Sequence, residues 1–228
     1  MLGALHPGWR PPTRIRDIAA GIPPAAAQRE TGERLSDSAF IKSELEEAAR
    51  AVNGLLGDEQ TLGQVQAAGQ ILVRSFKQQG HVYSCGNGGS LCDAMHFAEE
   101  LSGRFREDRP ALGALAIADA SHMSCTANDM GYEEVFARFI EGHGREGDVL
   151  LAISTSGSSP NVVRAARVAR DKAMSVIALT GRRDSELGAL AHCHICTPAG
   201  RYADRVQELH IKVIHILIGL VERGLFED

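Results

Sequence analysis

No run of about 18 apolar residues occurs anywhere in this chain, so no membrane-spanning helix is expected. There is no dense block of lysine and arginine. With a net charge of −5, that argues against a nucleic-acid-binding surface as the main business. The opening charges are not followed by a long apolar stretch, so no secretory leader is expected and the chain is read as cytoplasmic. Five cysteines, an odd number without framework spacing, suit a reducing compartment better than a disulfide scaffold. The phosphate-binding pattern GxxxxGK[ST] is missing. The glycines at 86 and 88 begin a GxGxxG, but position 91 is Leu, so a dinucleotide is weakly supported. No internal repeat of fixed period stands out.

What is present is enough for one large or two small domains: 228 residues, 44% of them hydrophobic. Residues 1–36 differ from the rest. They hold five of the eight prolines and the single tryptophan, Trp9. Proline pairs disfavour helix and strand interiors, so this segment reads as a flexible arm, with docking through Trp9 as one use for it. Regular structure should begin near residue 37. Phe40, Ile41, Leu45, Ala48, Ala49, Val52 and Leu56 recur at helical spacing. Leu62, Val65, Ala68, Leu72, Val73 and Phe76 mark a second helix over 59–78, with Gly80 as its terminating residue. Short apolar runs at 81–84, 112–117, 149–153, 175–179 and 192–196 then alternate with helical stretches, and a long helix spans 202–223. This pattern predicts an α/β fold: a doubly wound, mainly five-stranded parallel sheet with helices on both faces. Ligands of such sheets bind beyond the carboxyl ends of the strands. Three loops fall there, at 86–90, 154–159 and 180–185.

The most informative stretch, 84–103, reads SCGNGGSLCDAMHFAEELSG. A glycine loop leads straight into a helix, whose N-terminal N–H groups and dipole favour an anion. His96 and Glu100, four apart, share one face of that helix. The segment 149–161, VLLAISTSGSSPN, runs a strand into serines and a threonine, with Pro160 placed to open a helix. A phosphate or sugar hydroxyls would suit it, and a capped helix after a serine-rich turn is the plain alternative. Two such loops on adjacent strand ends favour a small phosphorylated ligand. The last helix carries an apolar stripe interrupted by Asp204, Gln207, His210 and His215. His215 lies between Ile214 and Ile216, in its most apolar part. A lone histidine there is better read as a satisfied core residue. With His96, Glu100 and Gln207 also available, a shared metal or acid–base site competes. Gln207 and His215 stand eight apart, about 12 Å along a helix and about 80° around it. They can meet one ion only if side chains converge, the helix distorts, or another subunit contributes.

GNGGS, DAMHFAEEL, the AND at 127–129, STSGSS and ADRVQELHIKVIH together resemble the phosphoheptose isomerases, sugar isomerases of the SIS fold, over about residues 38–222. STSG-type loops are common to SIS proteins, whereas the combination of His96, Glu100, Gln207 and His215 is far more specific. The resemblance implies a flavodoxin-like three-layer SIS domain over 37–228, a homotetramer, and zinc held by His96, Glu100, Gln207 and His215. It places sugar-phosphate contacts on Asn87, Gly88, Gly89, Glu100, Asn128, Asp129, Ser154, Thr155, Ser156, Ser159 and Gln207. It implies conversion of sedoheptulose 7-phosphate to D-glycero-D-manno-heptose 7-phosphate through an enediol, on the path to bacterial surface heptose. Such chemistry needs a base and an acid, for which Glu100 and His215 are the candidates. A carboxylate that ligates zinc is a weaker base, so those two roles of Glu100 compete. The arm before residue 38 departs from the family pattern. Two rival readings are a non-catalytic SIS protein that binds a sugar phosphate or a replication-initiator partner, and an isomerase of another sugar phosphate.

The remaining signals read as structural. Cys193 and Cys196 would point to opposite faces of a strand. Cys85 and Cys92 read as small apolar fillers. His122, His143, His192 and His194 lack a partner pattern, and His210 faces either the site or a neighbouring helix. Asp204 reads as a helix-start residue that could touch ligand or orient His215. Arg104 could meet a phosphate or a surface carboxylate.

Overall fold

The computed structural model describes residues 35–227. The expected arm over 1–36 and the docking role of Trp9 therefore lie almost wholly outside the described residues. The chain divides into 1–40 and 41–228, and the described part of the first only opens the first helix.

That helix, α1, spans Asp37–Leu56 and buries none of its residues. Helix α2 spans Glu59–Lys77, with Asp58 capping it by accepting from the Thr61 N–H. It ends differently from the expectation. Gln79, not Gly80, takes the left-handed conformation, at φ 61°. The N–H groups of Gln79 and Gly80 then donate to the carbonyls of Phe76 and Ser75, closing the helix in a Schellman arrangement.

Five strands follow: β1 Val82–Cys85, β2 Ala114–Ala116, β3 Val149–Ser154, β4 Ser175–Thr180 and β5 Cys193–Cys196. All pair in parallel, in the order β2-β1-β3-β4-β5. The expected strands were right in number and direction. The second is only three residues long, half the expected run. It is an edge strand that leaves Leu115 half exposed. Every residue of the central β3 is buried, which explains its unbroken apolar sequence.

The helices between strands are α3 (Gly89–Ser102), α4 (Ala120–Met130), α5 (Val135–His143), α6 (Pro160–Asp171) and α7 (Glu186–Leu190); α8 (Ala203–Phe226) closes the chain. Two buried layers result from the alternation of side chains along each strand. Leu151 and Ile153 join Leu72 of α2, Phe97 and Leu101 of α3, and Val213 and Leu217 of α8. Leu150 and Ala152 join Phe136 and Ile140 of α5, Val162 and Ala166 of α6, and Leu187 of α7. Fully burying one such leucine contributes roughly 1.5–3 kcal/mol. Among the described residues, no helix is long and apolar enough to cross a membrane.

His210 belongs to this core and not to any open site. It is fully buried on α8, and neither ring nitrogen finds a hydrogen-bond partner among the described residues. Burial pushes its pKa from 6.5 down to about 4, against an opposing pull from the Thr180 backbone. The folded ring is therefore neutral where the unfolded ring takes a proton. Its contribution to stability is present above pH 6.5 and is lost as pH falls toward 4. Replacing His210 by Leu should flatten that acid loss, read as melting temperature across pH 4–7. An equally steep loss in the variant would remove His210 as its source.

Candidate active site

Strand order reverses between β1 and β3, and in such sheets a crevice opens outside the carboxyl ends of the strands there. The glycine loop follows β1 and the serine loop follows β3. One half-buried pair ties them. The Asn87 amide donates to Asn161 Oδ1 at 2.9 Å, and the Asn161 amide donates back to Asn87 Oδ1 at 2.9 Å. The Tyr132 hydroxyl also donates to Asn87 Oδ1, at 3.1 Å. Asn161 and Tyr132 are contributors that sequence reading missed, because nothing in their local sequence marks a partner 74 or 45 residues away.

In the serine loop the hydroxyls converge. Ser154 Oγ lies 2.9 Å from Ser159 Oγ and 3.4 Å from Ser156 Oγ. Gly157 turns the loop at φ 65°. A Cβ there would stand 2.4 Å from Ser185 Cβ, so the loop closes only around glycine. Ser159 is the N-cap residue of α6, yet its side chain makes no capping bond. The hydroxyl cluster thus sits beside helix N–H groups that can face an anion. Thr155 and Ser156 also line a cavity of about 280 Å³ at the ends of β3 and β4, together with Gly181, Arg182 and Val206. Asn128 and Asp129 are exposed at the end of α4, and the Asn128 amide donates to the Asp129 carboxylate at 2.7 Å. Among the described residues, no hydrogen bond or ion pair joins them to either loop.

The second half of the site is a seam between α3 and α8. The Gln207 amide lies against Gly89: a Cβ on Gly89 would stand 2.7 Å from Gln207 Nε2. Seven residues on in α3 and eight on in α8, His96 Nε2 lies 2.9 Å from His215 Nε2. Contacts in the same order along both helices mean that the two run side by side in the same direction. Glu100 Oε1 lies 3.5 Å from His96 Nε2. Glu99 Oε1 lies 3.0 Å from His96 Nδ1. His96, Glu99 and Glu100 offer ligand atoms within 4.8 Å of one another. The rings of His96 and His215 meet edge to face, and Phe105 packs against His215. Burial pushes the His215 pKa down, with further lowering from His96, Lys212 and Arg106 and an opposing pull from Glu100. His96 Nε2 stands beside the His215 ring on one side and the Glu100 carboxylate on the other, and imidazole nitrogens and carboxylate oxygens are donors of the kind zinc takes. The donor chemistry of His96, Glu100 and His215 is compatible with zinc, though the ligand atoms that lie mutually within 4.8 Å are those of His96, Glu99 and Glu100. Gln207 does not stand with them, because α8 is unbroken from Ala203 to Phe226.

Asp93 lies on α3 between Gly89 and His96. Its Oδ2 is buried without a partner among the described residues. Burial raises its pKa to about 6, against the opposing pull of His96. Sequence reading passed over it as one more acid in DAMHFAEEL.

Arg109 holds the far end of the seam. Its side chain is 4% exposed and pairs with Glu222 of α8 at 2.9 Å. It also donates to the carbonyls of Glu100 at 2.6 Å and Leu101 at 2.7 Å. A guanidinium at the C-terminus of α3 also complements the helix dipole.

Of the discounted residues, Arg104 pairs with Asp108 on the surface. Asp204 accepts from its neighbour's N–H in the first turn of α8, far along the helix from His215. Cys193 and Cys196 are buried in β5, and the Cys193 thiol donates to Gln64. Cys85 is buried, its thiol pushed up to about 12 by desolvation. Cys92 is exposed and fills nothing, because the outer face of α3 carries it. His192 accepts from the Val176 N–H, His194 bonds Thr180, His122 bonds the Val135 carbonyl and His143 stacks on Phe139.

The SIS-domain family profile matches residues 46–181, which takes in both loops and α3 but stops before α8. Curated relatives match over more of the chain. A phosphoheptose isomerase of Aeromonas hydrophila subsp. hydrophila is 57% identical over 186 residues, 82% of this chain and 97% of that protein. One of Edwardsiella ictaluri is 56% identical over 82% of this chain and 96% of its own length. Among solved structures, a phosphoheptose isomerase from Neisseria gonorrhoeae superposes with a TM-score of 0.74 at 34% identity, over 82% of this chain and 99% of that one. One from Francisella tularensis gives 0.76 at 29% identity, over 83% and 100%. The chain belongs to the SIS-domain family of α/β sugar isomerases and, within it, to the phosphoheptose isomerases, which are enzymes.

Replacing Arg109 by Ala would leave Glu222 and two helix carbonyls without their buried partner. The expected loss is about 3–5 kcal/mol in urea unfolding. Lysine should restore only part of it, since one ammonium cannot span the same acceptors. A loss near zero would show that the seam holds without the clamp.

Proposed function

We propose that this enzyme interconverts sedoheptulose 7-phosphate and D-glycero-D-manno-heptose 7-phosphate through an enediol, in the supply of bacterial surface heptose. The observation that carries the reading is the convergence of His96, Glu100 and His215 on one seam that leads down from the glycine loop. The serine loop, with Ser154, Thr155, Ser156 and Ser159, holds the phosphate by hydroxyls and the α6 N-terminus. The glycine loop, Asn87 to Gly89, and Gln207 hold the sugar hydroxyls. Asn128 and Asp129 contribute from the end of α4 once the ligand is bound.

Glu100 removes the proton from the carbon next to the carbonyl and returns it to the neighbouring carbon. His215 moves the proton at the carbonyl oxygen. Burial and the neighbouring His96 lower its pKa, which favours the neutral form of the ring. His96, Glu100 and His215 would hold zinc, which when bound supplies Lewis-acid polarisation of the substrate's oxygens, and Glu100 would alternate between holding the ion and carrying the proton. The unbroken helix puts Gln207 out of reach of that ion within one chain, so its part in the donor set rests on a contribution from another subunit. A homotetramer supplies that subunit. Its support in this chain is the exposed apolar stripe Ile41, Leu45, Val52 and Leu56 along α1. The enzyme is assigned to the cytoplasm, where the sugar phosphate would be made. A non-catalytic SIS protein would have no use for a base and an acid brought together in this way.

Glu100→Gln should keep the fold and lower turnover of sedoheptulose 7-phosphate by at least a thousandfold, measured as ketose consumption. Near-normal turnover would sink the base assignment. Chelation of the wild type in the same assay should abolish activity, and zinc should restore it; full activity without metal would remove zinc. Sedimentation velocity tests the tetramer, and a monomer at working concentration would exclude it.

A further inference from the structure

We propose that Asn87 meets its ligand as a hydrogen-bond donor only, offering one N–H to an oxygen that carries negative charge. Asn161 is the positioning residue that turns the amide this way, and Tyr132 fills its remaining lone pair. That Asn87 faces the ligand rests on the reading above; the direction of its amide does not.

An asparagine amide donates at one end and accepts at the other, so a free one can meet a sugar hydroxyl either way round. At Asn87 a chain of bonds that begins at the backbone makes the choice. The Val162 N–H donates to Asn161 Oδ1 at 3.0 Å. A backbone N–H can only donate, so that end of the Asn161 amide is its oxygen and the other end is its NH₂ group. The Asn87 amide lies against both ends, at 2.9 Å each. Its nitrogen must therefore face the Asn161 oxygen, and its oxygen the Asn161 nitrogen. The opposite setting would press oxygen on oxygen and NH₂ on NH₂. Asn161 is 2% exposed, as the second residue of α6, so water is not at hand to relieve such a mismatch.

The Tyr132 hydroxyl adds a second donor to Asn87 Oδ1, at 3.1 Å. A carbonyl oxygen has two lone pairs, and both are now used. Of the two Asn87 side-chain N–H bonds, one goes to Asn161. The other points away from that pair and meets no acceptor among the described residues. Asn87 thus has one group left to offer, and it is a donor. Bonds from an N–H to a charged oxygen are shorter than neutral ones and roughly twice as strong. The proposed substrate has two sources of such an oxygen. One is its phosphate, beside the serine loop that the Asn87–Asn161 pair ties in. The other is the oxygen that gains charge as the enediol forms.

The test follows the Asn87 side-chain amide by NMR in the ¹⁵N-labelled full chain. Without ligand, one of its two protons should be protected from exchange by Asn161, and the other should exchange freely. Two protected protons would mean that the nitrogen serves both Asn161 and Tyr132, which would overturn the proposal whatever the substrate is. Inorganic phosphate and a phosphorylated sugar hydroxamate, whose charged oxygens imitate the enediolate, are then added in turn. A downfield shift of the free proton with phosphate alone would support the phosphate as its acceptor. A shift with the hydroxamate only would support the reacting end. A free proton unmoved by either compound, once bound, would overturn the donor role. Asn161→Ala should leave both protons exchanging freely and lower kcat/KM about a hundredfold. Tyr132→Phe, at a position 53% exposed, should keep one proton protected, because Asn161 still sets the direction. Loss of that protection in Tyr132→Phe would overturn the role of Asn161, even if Asn161→Ala fails to fold. A wild type that does not turn over sedoheptulose 7-phosphate would instead overturn the substrate reading, and the exchange pattern would still decide the amide.

Discussion

The site depends on one alignment: α3 and α8 lying side by side, in the same direction, with His96 level with His215. Neither helix sets that alignment by itself. Each presents an apolar face to the sheet. Arg109 joins them, because it bonds the last carbonyls of α3 and a carboxylate of α8 at once. Moving either helix by a turn would strand a charge in a nearly dry place, at a penalty of several kcal/mol. The register of the two histidines is thus set from one end of the seam. At the other end the amide of Gln207 rests on Gly89, where a Cβ would displace that amide.

The fold was largely legible in the sequence, for a plain reason. Short runs such as VLLAIS are apolar throughout because the central strands are covered on both faces, and a helix follows each. The edges were harder to read. The second strand is cut to three residues where Gly113 and Pro110 precede it, and its half-exposed Leu115 lends apolarity to a segment that barely pairs. The end of α2 was misplaced because glycine is the usual left-handed residue, yet Gln79 adopts that conformation one position earlier.

The site was legible in its chemistry and not in its support. His96 and Glu100 announce themselves by spacing on one helix. Placing His215 beside them, more than a hundred residues away, took a resemblance and not a physical rule. Asn161, Tyr132 and Arg109 were invisible for the same reason: each acts through a partner far along the chain, and each looks locally like an ordinary polar residue. Gln207 shows the reverse case. It was grouped with the histidines by resemblance, while the rise of an unbroken helix keeps it at the glycine loop. His210 looked like a candidate because it interrupts an apolar stripe, but it does so by being a neutral core ring.

The unbroken span of α8 between Gln207 and His215 has a consequence for how this enzyme can vary. One inserted or deleted residue there would swing His215 by about 100° and shift it by about 1.5 Å relative to Gln207. No substitution elsewhere could undo that rotation. Loops at the strand ends can lengthen or shorten and still find a closure, but those eight positions form a fixed-length segment. Sequence can drift within it, while its residue count cannot.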